Sequence, residues 1–214
     1  MALRTLTLLD RFIGEIDKAI KVLAAPARAV RASPVAASGG ELVLEEADRI
    51  ESARLMRVNH AGEVAAQALY QGQALTAKDP GVANAMRRAA AEEMDHLAWC
   101  EARLGELNGS ASVLNPLWYA GSFVMGAVAG ALGDRTSLGF IAETEKQVEA
   151  HLRGHLERLP AADRRSRAIL NQMTHDEVEH GAQAASLGAD ELPLPLRSAM
   201  RLTSRVMTAS SFWL

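Results

Sequence analysis

Glu92-Glu93-Met94-Asp95-His96 and Asp176-Glu177-Val178-Glu179-His180 match position by position in residue type and stand 84 positions apart. Each string lies in a stretch whose apolar residues recur at helical spacing, Met86, Ala89, Cys100, Leu104 and Leu107 around the first, and Leu170, Met173, Ala184 and Leu187 around the second. Glu93 with His96, and Glu177 with His180, therefore fall on the stripe that each helix turns to a core. An ionised carboxylate buried there without a partner costs several kcal/mol, on the order of the net stability of a domain. Two such carboxylates demand neutralisation, and a pair of divalent metal ions supplies it.

The Glu-x-x-His spacing lets one helical turn present both groups to a metal, and two such helices call for one further carboxylate from each of two others. Leu44 to Ala77 is free of proline and ends at the turn signal Lys78-Asp79-Pro80-Gly81, and it offers Glu63 on a face with Met56, His60, Gln67 and Tyr70. Ser137 to Leu159 offers Glu143, Glu145 and Glu149; only Glu145 shares the stripe of Ile141, Val148, Leu152, Leu156 and Leu159. Glu63 and Glu145 lie 82 positions apart, nearly the interval between Glu93 and Glu177, as a duplicated helix pair requires. The expected ligands are Glu63, Glu93, His96, Glu145, Glu177 and His180. His60, one turn before Glu63, is expected beside this set rather than in it. Glu92 and Asp176 either accept a hydrogen bond from a metal-bound imidazole or stay solvated. Carboxylates with one imidazole per metal suit iron or manganese better than structural zinc, and iron adds oxygen chemistry.

Two more segments complete four core helices, one running to about Leu107 before Asn108-Gly109 and one from Asp163 to Leu187 before Gly188. The long connection between the second and third predicts an all-α, ferritin-like four-helix bundle with one crossover. Leu6 to Val30 carries Leu9, Phe12, Ile13, Ile16, Ile20 and Leu23 at three- and four-residue steps, an amphipathic N-terminal helix. Arg31 to Gly40 reads as a linker, so residues 1–40 form an extension and 41–214 the bundle domain. Arg197, Arg201 and Arg205 repeat opposite Leu196, Met200 and Met207, marking an amphipathic C-terminal helix.

With 214 residues, 49% of them hydrophobic, one domain can bury a full core. The net charge of -3 gives no reason to expect nucleic acid as a partner. Cys100, the single cysteine, reads as core filler, and the early acids Asp10, Glu15 and Asp17 argue against a secretory signal. No Gly-x-Gly-x-x-Gly fingerprint announces a dinucleotide fold. Between Glu106 and Asp134 there is no charge, which leaves three readings open: a membrane span, an interfacial insertion, or a buried connector.

Asn59-His60-Ala61-Gly62-Glu63, Tyr70-Gln71-Gly72-Gln73, Glu93-Met94-Asp95-His96-Leu97, Pro116-Leu117-Trp118, Glu145 with His151, and Glu177-x-x-His180 together resemble the demethoxyubiquinone hydroxylases. These are membrane-associated di-iron monooxygenases of ubiquinone biosynthesis, and the resemblance spans about 57–187. Leu9-Asp10-Arg11-Phe12-Ile13-Gly14-Glu15 looks like the extension of bacterial members. Glu143-Thr144-Glu145 departs from the adjacent acids frequent in the family.

The resemblance implies two iron ions, dioxygen as cosubstrate, NADH or the quinol as reductant, and a polyprenylated methoxy-methyl-benzoquinol hydroxylated at a ring carbon. It places Tyr70 and His151, with His60, around the ligands. It further implies a peripheral position on the cytoplasmic side of the cell membrane, with accessory proteins of quinone biosynthesis and a second copy of the chain as candidate partners. Two other functions fit the ligand set alone: a peroxide-reducing or iron-oxidising ferritin relative, and a non-catalytic, metal-stabilised scaffold of a biosynthetic complex.

Overall fold

A computed structural model describes residues 8–37, 39 and 43–214. Leu6 and Gly40, which bound the expected N-terminal helix and linker, lie outside the described residues, as do the side chains of Leu9 and Phe12 and the expected domain boundary at 40/41. Among the described residues seven α-helices form: α1 (Leu8–Ala24), α2 (Glu46–Thr76), α3 (Pro80–Glu106), α4 (Asn115–Leu132), α5 (Asp134–Arg158), α6 (Arg164–Ser186) and α7 (Leu194–Trp213). No strand occurs among the described residues.

Local chemistry sets the helix ends. The Asp79 carboxylate accepts from the amides of Gly81 (2.6 Å) and Val82 (3.0 Å), and Pro80 opens α3 where its missing N–H costs nothing. Asp163 caps α6 through the Ser166 amide at 2.9 Å. Gly188, at φ +93°, stops the chain beyond α6 in the left-handed region. α1 ends at Ala24, short of the expected Val30, because Pro26 disfavours helical geometry in the residue before it.

Helices α2, α3, α5 and α6 make the bundle, and their apolar residues gather in two layers. Leu55, Met56, Trp99, Cys100, Leu152, Leu170 and Met173 form one, whereas Tyr70, Met86, Ala89, Leu138, Ile141 and Ala184 form the other. On every bundle helix the candidate ligands fall between these layers in chain order. α2 and α6 run from the first layer to the second, and α3 and α5 run the opposite way.

The chain leaves α3 at the first layer and must enter α5 at the second, so it has to travel the length of the bundle. α4 makes that crossover as a helix laid parallel to α2. Glycines permit the close approach: a Cβ at Gly126 would meet the Leu69 carbonyl, and one at Gly72 would meet the Phe123 carbonyl. No helix among the described residues is long and apolar enough to cross a membrane, which removes the spanning reading of the uncharged stretch. α4 buries Asn115, Tyr119, Gly126, Ala129 and Gly130 and exposes Leu117, Val124, Val128 and Leu132, so it is not a wholly buried connector either. Trp118 Nε1 donates to Ser211 Oγ at 3.1 Å, joining α4 to α7.

A second tie is ionic. Arg103 of α3 donates to Asp163 Oδ1 (2.8 Å) and to Ser166 Oγ (2.9 Å) at the start of α6, with both charges fully buried. Removing Asp163 would leave the buried Arg103 paired with the partly exposed Glu106 (2.8 Å) and would also remove the cap of α6. Asp163→Ala is expected to lower the unfolding free energy by about 3–5 kcal/mol, read by chemical denaturation. A loss below about 1 kcal/mol would show that the pair does not hold α3 to α6.

Candidate metal centre

Glu63 of α2, Glu93 and His96 of α3, Glu145 of α5, and Glu177 and His180 of α6 converge midway along the bundle, none more than 7% exposed. They fall into two groups, Glu63–Glu93–His96–Glu177 and Glu93–Glu145–Glu177–His180, whose candidate ligating atoms lie within 4.8 Å of one another. Glu93 and Glu177 belong to both. Glu93 turns Oε2 to His96 Nδ1 (3.0 Å) and Oε1 to His180 Nδ1 (3.2 Å). Glu177 likewise turns Oε1 to His96 Nδ1 (3.3 Å) and Oε2 to His180 Nδ1 (3.2 Å). Two carboxylates therefore span both positions, while Glu63 and Glu145 each serve one. Glu143 points elsewhere, accepting from Gln147 at 2.7 Å with Arg201 at 3.7 Å.

The far nitrogens of both rings meet carboxylates from the opposite helix. His96 Nε2 on α3 lies 2.8 Å from Asp176 Oδ2 on α6, and His180 Nε2 on α6 lies 2.6 Å from Glu92 Oε2 on α3. Each repeated string thus supplies an acid to the other string's histidine. This resolves the choice left open for Glu92 and Asp176, because such an acid fixes ring orientation and leaves Nδ1 free to face the centre.

Of the residues expected around the ligands, Tyr70 donates its hydroxyl to Glu145. His151 lines the cleft beside the centre, and its ring sits on His155 with centroids 3.9 Å apart. His60 belongs to neither group; its ring faces Asn115 of α4 (Nδ1 to Nδ2, 3.3 Å).

Two contributors were given no role by the sequence reading. Asp95, one residue before His96, and Arg31, in the presumed linker, form an ion pair at 2.8 Å, and Arg31 also reaches Asp176 at 2.8 Å. No local pattern ties residue 31 to helices 60 and more positions away.

The electrostatics fit a pair of divalent cations. Among the described residues no lysine or arginine pairs with Glu63, Glu93, Glu145 or Glu177, so four buried carboxylates face only two imidazoles. Burial, reinforced by neighbouring carboxylates, pushes Glu63 and Glu145 well above the usual carboxylate range. Burial opposes the charge on Glu93 too, but the adjacent imidazoles outweigh it and pull that group down. Burial works against the imidazolium form, yet the carboxylates around the rings prevail, raising His96 well above its ordinary value and His180 to about 12. Metal ions bound there would compete with the protons that the raised groups favour.

A cleft between α2, α5 and α7 opens onto the centre. It encloses about 460 Å³ including its mouth, with Val58, Ala66, Val148, Leu152 and Met207 beside Glu63, Glu145 and His151. A wider groove of about 1030 Å³ adjoins it, shares Val58, His151 and Thr208, and continues to Phe212 and Trp213. Burial keeps the cleft's histidines neutral, lowering His151 to about 4 and His155 to about 2.

Metal uptake must displace the protons that His96, His180, Glu63 and Glu145 hold more tightly than free side chains do. Because the raised groups release protons on binding, apparent metal affinity is expected to rise with pH. Titrating the metal-free protein with a divalent ion in weak buffer should acidify the solution, as followed by pH-stat. Uptake without proton release would contradict the charge state described.

The family model described as "Ubiquinone biosynthesis protein COQ7" matches residues 50–211. Curated relatives named 3-demethoxyubiquinol 3-hydroxylase include those of Ralstonia pickettii, 55% identical over 96% of this chain and 99% of that one, and Aromatoleum aromaticum, 56% identical over the same shares. A third, from Bordetella parapertussis, is 53% identical over 96% of this chain and 93% of its own. All six candidate ligands fall inside the matched span, and the chain belongs to the ubiquinone biosynthesis protein COQ7 family.

Proposed function

We propose that this chain is a di-iron monooxygenase that hydroxylates demethoxyubiquinol, a polyprenylated methoxy-methyl-benzoquinol, at a ring carbon in ubiquinone biosynthesis. The observation that carries the reading is the pair of doubly facing carboxylates, Glu93 and Glu177, set between two apolar layers and reached through an apolar cleft. Relatives at about 55% identity, named for this hydroxylation, supply the substrate class. One oxygen atom of dioxygen enters the ring, and the other leaves as water on receipt of two electrons from NADH or the quinol.

Iron ions held by the six candidate ligands would supply redox and Lewis-acid chemistry. The protein's own part is positioning and exclusion. Glu63 and Glu145 complete one position each, Asp176 and Glu92 hold the imidazoles, and Tyr70 steadies Glu145 by its hydrogen bond. Val148, Leu152 and Met207 give a planar quinol ring an apolar wall while keeping bulk water from the carboxylates. Cleft and groove together offer a path for a substrate whose tail is apolar along its whole length.

Such a substrate resides in lipid, and three helices carry faces suited to a membrane surface. Ile13, Ile16 and Ile20 on α1, Val124, Val128 and Leu132 on α4, and Leu202 and Val206 on α7 are all more than 40% exposed at helical spacing. Apolar stripes of this kind bury themselves at an interface without spanning it. We assign the chain a peripheral position on the cytoplasmic side of the cell membrane.

The decisive assay supplies the iron-loaded protein, in detergent, with the reduced demethoxy quinol, a reductant and labelled dioxygen. The expected product carries one labelled oxygen, and Glu93→Ala should abolish it with the bundle still folded. Peroxide turnover with no hydroxylated quinol would instead support a ferritin-type peroxidase, and wild-type complementation by Glu93→Ala would support the scaffold role. For the membrane assignment, Val124→Glu combined with Val128→Glu should weaken flotation with phosphatidylethanolamine–phosphatidylglycerol vesicles about ten-fold or more. Unchanged flotation by the folded double variant would remove α4 from the interface.

A further inference from the structure

We propose that Arg31 is a positioning residue for the metal centre, tying Asp95 of α3 to Asp176 of α6 and thereby fixing the carboxylate that orients the His96 imidazole. The inference rests on the metal reading above and extends it to a segment outside the bundle. Three contacts define the clamp. Arg31 Nε donates to Asp95 Oδ2 at 2.8 Å, Arg31 Nη2 donates to Asp176 Oδ2 at 2.8 Å, and the same Nη2 stands 3.3 Å from His96 Nε2. Both the guanidinium and the imidazole therefore address one oxygen of Asp176. Gln172 occupies the other oxygen at 2.8 Å, leaving that carboxylate little rotational freedom.

The segment that delivers Arg31 is itself held. Val22 is buried among Val64, Ala68, Leu97 and Tyr119, which seats the end of α1 on α2, α3 and α4. The Ala27 amide donates to Glu101 at 2.8 Å, and the Val30 amide donates to Asp95 Oδ1 at 2.6 Å, laying residues 27–31 along α3. The guanidinium then lies over the Trp99 ring, 5.0 Å from its centroid. A planar fork bonding two carboxylates while stacked on an indole is work for arginine; a lysine ammonium reaches one carboxylate as a point charge.

The arrangement also makes the two halves of the centre unequal. Glu92, the partner of His180, is about half exposed, and among the described residues no lysine or arginine pairs with it. Two strings that match in sequence thus hold their histidines differently. His96 is locked by a buried carboxylate with its own cation, whereas His180 leans on a solvated one. The locked half is the one that depends on the N-terminal segment.

The test uses the full chain loaded with cobalt(II), whose paramagnetism shifts the ring N–H protons of His96 and His180 away from other resonances. In Arg31→Ala the His96 proton should exchange with solvent about ten-fold faster, with the His180 proton unchanged. A chelator should remove one of the two ions about ten-fold faster than from wild type, the other at the wild-type rate. Arg31→Lys should fall between, and any lowering of the unfolding temperature in the metal-free variants should leave the His180 proton and its ion as in wild type. Wild-type behaviour of the His96 proton and of both ions in Arg31→Ala would overturn the inference. So would equal changes at both histidines with a lowered unfolding temperature, since that pattern marks a general structural role. A wild-type chain that takes up no divalent ion would overturn the metal reading itself, an outcome distinct from loaded protein indifferent to Arg31.

Discussion

Four glutamates and two histidines buried at mid-bundle impose the constraint to which the rest of the molecule answers. Charges this deep are tolerable only when each has an opposite partner at contact distance. The arrangement of Glu93 and Glu177, each with one oxygen toward either imidazole, meets that need through the imidazoles and is compatible with a pair of divalent cations. Apolar layers on both sides keep water from relieving the charges, so the neutralising groups must come from within.

The internal duplication expresses itself as exchange rather than simple repetition. Asp176 serves the histidine of α3 and Glu92 serves the histidine of α6, so neither helix completes its own site. Such cross-bonding couples the packing of α3 against α6 to the orientation of both imidazoles. The buried Arg103–Asp163 pair joins the same two helices toward one end of the bundle, beyond an apolar layer from the centre. A shift of either helix would disturb the ion pair and both rings together.

Around this interior the connecting segments take on work of their own. α4 carries the chain from one end of the bundle to the other because the order of helices requires it, and its glycines bring it against α2. Its opposite side is left apolar and exposed, as is one side of α1 and of α7. α7 covers the cleft with Ser204, Met207 and Thr208, so the helix that carries part of the exposed apolar surface also lines the way to the centre.

The sequence by itself determined the four core helices, the need for a crossover, and the identity of the six converging side chains. Helical periodicity and the repeat interval are local or self-referential signals, and they singled out Glu145 over Glu143 with no knowledge of neighbours. Only the tertiary structure decided that Glu92 and Asp176 cross over to each other's histidines, that His60 turns to Asn115, and that Arg31 reaches the centre from a stretch that reads as a linker. Those outcomes depend on which helix faces lie opposite one another and on where an irregular segment comes to rest. Such contacts join residues up to 145 positions apart, and no periodicity within a single segment encodes them.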